Sequence, residues 1–233
     1  MSNFENQFSS KKGKIEKEFE GWKTRDFSNW LEKGIKDYEK GNPDAFSPFH
    51  HTIEKEGETV IDSLARIYNN LPPNFQKEFL NGLALALKEQ KNSKLMYLAG
   101  KLGALEIIPV VEQWLKDGSL ANDEEFLALT LDVLCSASFN NVAVADILRR
   151  IEKELGPQIK NHAPMIFIAL CRLEPDKWLD HLSLLGKEVR EAKGPKELTA
   201  RSFAKYVPWD EVKQSLSEIG EKDKWLLAGY SKD

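Results

Sequence analysis

The chain has 233 residues, of which 41% are hydrophobic and 30% are charged, and its formal net charge is -4. This balance is typical of a globular protein rather than a disordered one. The acidic excess argues against a global positive field for nucleic acid or for an anionic membrane. No apolar core follows the polar start of the chain, and no run of about 18 apolar residues occurs. The sequence therefore predicts a soluble protein without a secretory signal or a membrane span.

Two cysteines, Cys135 and Cys171, both lie in apolar helical segments. Small secreted domains that rely on disulfides carry more cysteines than this, so we interpret both as core residues in a reducing compartment. The cytoplasm is the expected location. The sequence indicates no cofactor, since it contains no phosphate loop, nucleotide fingerprint, nucleophile elbow or CxxC motif.

Helical periodicity begins near Ile15, where apolar residues start to recur at three- and four-residue spacing and continue to Tyr38. This pattern predicts a pair of N-terminal helices. Prolines and glycines then make residues 42–57 the longest predicted irregular segment. We therefore predict an N-terminal helical segment and loop over residues 1–57, packed on a helical domain over residues 58–233, in one compact unit.

After Gly57 the sequence consists of regular apolar stripes, and no strand-like alternation competes with them. Helical hairpins are predicted to begin near residues 59, 93, 122, 159 and 195. A nearly constant step of this length is typical of a stack of helix pairs. The predicted fold class is all-α, an α–α superhelix of about five hairpins preceded by the N-terminal helical pair.

The most specific pattern lies in residues 98–117, where an apolar helix ends at Leu102-Gly103 and Ile107-Ile108-Pro109 opens a second helix. Gly103 suits the left-handed turn that follows a helix, and Pro109 suits the first turn of the next one. This unit resembles the HEAT-like helical-repeat superfamily. The resemblance implies a solenoid of hairpins over residues 59 to about 219, and it implies nothing about activity.

Stacked hairpins present an extended concave surface lined by their second helices. Polar residues on the predicted second helices therefore indicate a partner-binding surface. These residues are Glu112, Lys116, Arg149, Lys153, Asp180 and His181. Their mixed charge favours another protein as the partner, so we interpret the chain as a protein-interaction module and not as an enzyme. A bacterial immunity or adaptor protein is one narrow form of this interpretation. The sequence does not determine the partner or the oligomeric state.

A metal site is a second hypothesis, because His50 and His51 with Glu54 resemble part of a zinc or iron site. No third set of ligands is visible nearby, so the sequence predicts a polar loop running into a helix start rather than a metal.

A nucleic-acid-acting enzyme is a third hypothesis, because the repeat also resembles that of HEAT-type alkylpurine DNA glycosylases. Their cationic groove needs an aromatic and an acidic side chain, which Trp178 with Asp180 or Trp209 with Asp210 would imitate. The basic residues from Lys187 to Lys205 are either a solvated face or a phosphate contact. The net charge of -4 argues against this hypothesis.

Overall fold

The computed structural model describes residues 17–42, 44–47, 59–191 and 194–230, and over these residues the chain is helical with no strand. The prediction of an all-α protein is therefore confirmed. Among the described helices, none combines the length and apolar character that a membrane span requires. The chain divides into two compact units, Met1–Val111 and Glu112–Asp233. The boundary predicted at residue 57 stays a prediction, because residues 48–58 lie outside the described part.

The first unit begins with α1 (Thr24–Glu39), α2 (Val60–Asn70), α3 (Pro73–Glu89) and α4 (Ser93–Leu102), and the boundary falls within α5 (Ile108–Lys116). Side-chain caps define several helix starts. The Thr59 hydroxyl accepts a hydrogen bond from the backbone of Asp62 at the start of α2, and Asn92 caps α4 in a similar way. Gly103 ends α4 with φ at +61°, and Pro109 lies in the first turn of α5, as predicted.

The core of the first unit depends on a close packing of α1 against α3. The rings of Phe27 and Phe79 meet there with centroids 5.6 Å apart. A Cβ atom on Gly82 would lie 2.6 Å from the Cβ of Phe27, so only glycine allows this approach. At the start of α1, the backbone N–H and hydroxyl of Thr24 both donate to the Glu78 carboxylate, at 2.8 and 2.6 Å.

The second unit is built from short helices joined by tight turns. They are α6 (Glu124–Leu134), α7 (Val142–Leu155), α8 (Ala163–Leu173), α9 (Trp178–His181), α10 (Lys187–Glu191), α11 (Gly194–Tyr206), α12 (Trp209–Gln214) and a C-terminal 3₁₀ helix (Glu221–Tyr230). The hairpin starts predicted near residues 122, 159 and 195 agree with α6, α8 and α11. The periodicity also favours one continuous helix over Trp178–Val189, and this expectation is wrong. Leu185 has ψ at 86°, outside the helical region, and Gly186 follows it as a poor helix former.

The core of the second unit centres on Phe203 of α11, which packs against α8 and the C-terminal 3₁₀ helix. The Phe203 ring lies 5.2 Å from the ring of Trp178 and 5.9 Å from that of Phe167, centroid to centroid. The Tyr230 hydroxyl donates to the carbonyl of Val207 at 2.7 Å, so the last described residue is attached to the end of α11.

Leu134 of α6 and Leu170 of α8 are both fully buried, and the predicted repeat register gives them equivalent positions. We expect Leu134→Ala and Leu170→Ala each to lower the free energy of unfolding by about 2–5 kcal/mol, as large-to-small core substitutions do. Denaturant titration measures this loss. Leu198→Ala is the matched control, because Leu198 is 70% exposed, and it should change stability by less than about 0.5 kcal/mol. Equal losses in all three variants would contradict the predicted register.

Candidate functional site

The candidate site is built around the end of α8, where Glu174 precedes Pro175. Proline disfavours helical geometry in the residue before it, and the Glu174 backbone is not helical, with φ at -141° and ψ at 69°. A 3₁₀ turn, Pro175–Lys177, and then α9 follow at once. These tight turns bring Lys177 and His181 beside the Glu174 side chain.

Glu174 is only 6% exposed, and three nitrogen-bearing side chains surround its carboxylate. Arg149 of α7 donates from Nη1 to Oε2, and Lys177 donates from Nζ to Oε1 at 2.8 Å. His181 Nε2 lies 3.5 Å from Oε2. We call these four residues the Glu174 cluster. The cluster links α7 to the segment that follows α8.

The ionisation of the cluster follows from burial and from these contacts. Burial raises the pKa of the Glu174 carboxyl, but the hydrogen bonds from Lys177 and Arg149 outweigh that effect and hold the pKa below its ordinary value. Burial lowers the pKa of His181, and the nearby Glu174 charge opposes only part of that decrease. Glu174 is therefore ionised and His181 neutral at neutral pH. The contact between them is long for a hydrogen bond, and Nε2 has no hydrogen-bond partner among the described residues.

An open cavity of about 480 Å³ adjoins the Glu174 cluster, and we call it the α7–α9 cavity. It is lined by Arg149, Glu152, Lys153, Leu170, Lys177, Asp180, His181, Ser183 and Leu184. Of the two leucines, Leu170 is fully buried, so Leu184 supplies the accessible apolar surface of the wall. Lys153, Glu152 and Asp180 have no ion-pair partner within the part of the chain that the structure describes. The cavity therefore offers uncommitted charges of both signs next to an apolar surface.

Most of the residues predicted to bind a partner meet at this cavity. Four of the six line it: Arg149, Lys153, Asp180 and His181. Glu112 and Lys116 of α5 do not. The Glu112 carboxylate accepts a hydrogen bond from Arg150 at 2.9 Å, and Lys116 is exposed. The cavity thus contains residues of α7 and α9 but none of the predicted residues of α5.

Two features of the cavity were not anticipated from the sequence. The periodicity places His181 on the surface, yet the residue is only 4% exposed. Glu174 and Lys177 were not predicted as site residues, although an acid directly before proline, with a lysine three residues later, is a usable local signal. The contact of Glu174 with Arg149 has no local signal, because the two residues lie on separate elements.

The basic residues between Lys187 and Lys205 are partly engaged within the second unit. Arg190 donates from Nε to the buried carboxylate of Asp223 at 2.5 Å and from Nη2 to the Leu182 carbonyl at 2.9 Å. Arg201 pairs with Glu197 one turn away at 2.7 Å. A phosphate would have to compete with these carboxylates for both guanidinium groups.

The tryptophans proposed as nucleotide platforms differ in exposure. Trp178 is 2% exposed within the core, so its ring cannot stack on a nucleotide. Trp209 is 44% exposed, and its ring lies 5.1 Å from that of Tyr230. Of the two predicted aromatic–acid pairs, only Trp209 with Asp210 presents an accessible ring.

The hypothetical metal ligands His50, His51 and Glu54 lie outside the described residues. Within the described ranges, no group of three or more His, Cys, Asp or Glu side chains is placed to hold a metal ion. Both cysteines are free thiols, and burial raises the pKa of each, that of Cys135 to about 12. Neither sulfur is therefore a thiolate nucleophile at neutral pH.

Comparisons with protein-family models, with curated proteins and with solved structures each found no match for this chain. The site is therefore interpreted from its own geometry. A wall that combines apolar side chains with a few positioned charges is suited to binding, because the apolar part supplies affinity and the charges orient the ligand.

His181 should make stability depend on pH. Its folded-state pKa lies below the ordinary value of 6.5, so the unfolded chain takes up the proton first and the free energy of unfolding falls as pH falls below 6.5. We expect His181→Gln to lose less stability than the wild type between about pH 7 and pH 5. Urea titrations at several pH values measure the difference, since the other titrating groups are common to both proteins. Identical pH slopes would show that His181 titrates normally in the folded protein.

Proposed function

We propose that this chain is a protein-binding module that holds a segment of its partner in the α7–α9 cavity. The proposal rests on one observation: Arg149 and Lys153 of α7 and Asp180 and His181 of α9 line the same cavity. The polar pattern predicted these residues as partner-binding positions, and they come from two separate helices. Binding pockets commonly combine such placed polar groups with an apolar wall, whose accessible part here is Leu184.

The proposed architecture is a HEAT-like stack of hairpins. Within the first unit α2 contacts α4, and within the second unit α8 contacts α11. Each of these pairs consists of first helices of successive hairpins in the predicted register. Such contacts support a stack, because each hairpin must cover the apolar face of its neighbour. In the same register α7 and α9 are second helices, the ones that line the binding surface of a repeat stack.

The proposed activity is binding rather than catalysis. The Glu174 carboxylate is held in ion pairs, so it is not poised to act as a base. Both thiols are protonated, so neither is poised to act as a nucleophile. The free thiols also support a reducing compartment, such as the cytoplasm. A bacterial immunity protein or an adaptor protein would each act as a module of this kind, and the identity of the captured partner distinguishes them.

A charge swap at the cavity tests the proposal. Lys153→Glu combined with Asp180→Lys reverses two exposed, unpaired charges and keeps the net charge of the chain. We expect the affinity for a partner captured from the native cell to fall by about tenfold or more, since the reversed charges oppose those of the partner. Arg149 stays unchanged, because its replacement would also remove an ion pair from the buried Glu174.

The matched control is Lys213→Glu with Asp210→Lys on α12, which swaps two exposed charges away from the cavity lining. Both double variants should keep their thermal stability close to that of the wild type, as is usual for surface substitutions. Partner binding that survives the cavity swap, or that both swaps weaken equally, would mean that the cavity is not the binding site.

The alternative hypothesis, an enzyme that acts on nucleic acid, requires measurable affinity for DNA. We expect no measurable affinity for duplex DNA at physiological salt, because Arg190 and Arg201 already bind carboxylates and Trp178 is buried. Fluorescence anisotropy with a labelled duplex, repeated at several salt concentrations, measures this affinity. Salt-dependent binding that Arg201→Gln weakens would instead favour an enzyme resembling the HEAT-type alkylpurine DNA glycosylases.

A further inference from the structure

The wall of the α7–α9 cavity differs in charge from the rest of the chain. Arg149, Lys153 and Lys177 line it together with two carboxylates, Glu152 and Asp180, so the wall has one positive charge in excess. The whole chain has a net charge of -4. Glu174 lies behind the wall and balances that excess. An incoming anion therefore meets no net repulsion at this place on an otherwise acidic protein.

The cations of the wall have unused hydrogen-bond donors. A guanidinium carries five N–H groups, and Arg149 uses its two terminal nitrogens on Glu174 and Asp146. A lysine ammonium carries three, and Lys177 uses one on Glu174. Lys153 has no ion-pair partner among the described residues. The side chains of Arg149 and Lys177 remain 39% and 52% exposed, so their remaining donors are accessible.

Glu174 also positions two of these cations before any ligand arrives. Long side chains such as arginine and lysine lose conformational entropy when a ligand immobilises them, and that loss reduces affinity. The buried Glu174 carboxylate already holds Arg149 and Lys177 at fixed positions. A carboxylate ligand would therefore bind to preorganised donors, and Lys153, which has no ion-pair partner among the described residues, would contact it as well.

We propose that the α7–α9 cavity recognises an acidic segment of the partner, in which a carboxylate is bound by Lys153, Arg149 and Lys177 and an adjacent apolar side chain packs on Leu184, the leucine of the lining that is partly exposed. This inference rests on the proposed function and specifies its ligand. Glu152 and Asp180 then repel a segment that carries acids throughout. The preferred segment is one carboxylate beside an apolar residue rather than a run of acids.

The probe is a display library of random short peptides selected on the immobilised full-length chain. We expect the selected peptides to share an aspartate or glutamate next to an apolar residue. For one selected peptide, Lys153→Gln should weaken binding about tenfold, as the loss of a hydrogen bond between charged groups does. Lys213→Gln is the matched control, because it removes one exposed positive charge outside the cavity lining and should leave the affinity unchanged.

A double-mutant cycle tests the contact between Lys153 and the peptide carboxylate directly. Replacing the peptide carboxylate by its amide should weaken binding to the wild type, and it should cost less in the Lys153→Gln variant, where only Arg149 and Lys177 still contact the carboxylate. Full additivity, or equal losses in Lys153→Gln and Lys213→Gln, would overturn the carboxylate contact.

The outcomes also separate this inference from the proposed function. If the selected peptides are basic, and Asp180→Asn weakens their binding, the acidic ligand is overturned and the cavity is retained as a binding site. Peptides whose affinity responds to neither Lys153→Gln nor Asp180→Asn would overturn both proposals.

Discussion

Short helices set the constraint on which the rest of this structure depends. The described helices contain 17 residues or fewer, and α4, α5 and α8 contain only 10, 9 and 11. Isolated helices shorter than about 12–15 residues are marginal in water, so these elements persist only because neighbours cover their apolar stripes. The interior of α8 shows the result: Phe167, Leu170 and Cys171 are fully buried, with α7 and α11 packed beside them.

This constraint places the polar chemistry of the second unit at helix ends. A helix covered on most sides has little room for charged groups along its length, and α8 stops where Glu174 meets Pro175. A buried carboxylate is costly unless cations or hydrogen-bond donors compensate it. Arg149 and Lys177 supply that compensation, and both residues also line the α7–α9 cavity. The proposed binding site is thus a consequence of how the charge of the buried Glu174 carboxylate is compensated at the end of α8.

The basic residues Arg190 and Arg201 have a different role from the cations that line the cavity. Arg190 is 16% exposed at its side chain and binds the buried Asp223, so it joins α10 to the C-terminal 3₁₀ helix. Arg201 forms a pair within α11. These cations stabilise contacts within the unit, whereas Lys153 has no such partner among the described residues. The difference supports a binding surface at the cavity rather than along the basic residues of α10 and α11.

Local chemistry was enough to predict the helical class and several helix boundaries. Gly103 and Pro109 mark a helix end and a helix start because backbone conformation at these residues depends on their own side chains. The stripe that contains Leu134 is readable because helical periodicity is a property of neighbouring residues. The same periodicity identified Arg149 and Lys153 as a shared polar face one turn apart.

Tertiary packing determined which residues of other elements lie beside the polar face of Arg149 and Lys153. Periodicity could not show that the helix predicted over Trp178–Val189 breaks near Leu185, or that His181 is buried beside Glu174. The contact between Glu174 and Arg149 joins residues 25 positions apart on different helices. Spacing along the chain specifies which side of a helix is apolar. It does not specify which residues of another helix will cover it, because that choice depends on how all the covering surfaces pack at once.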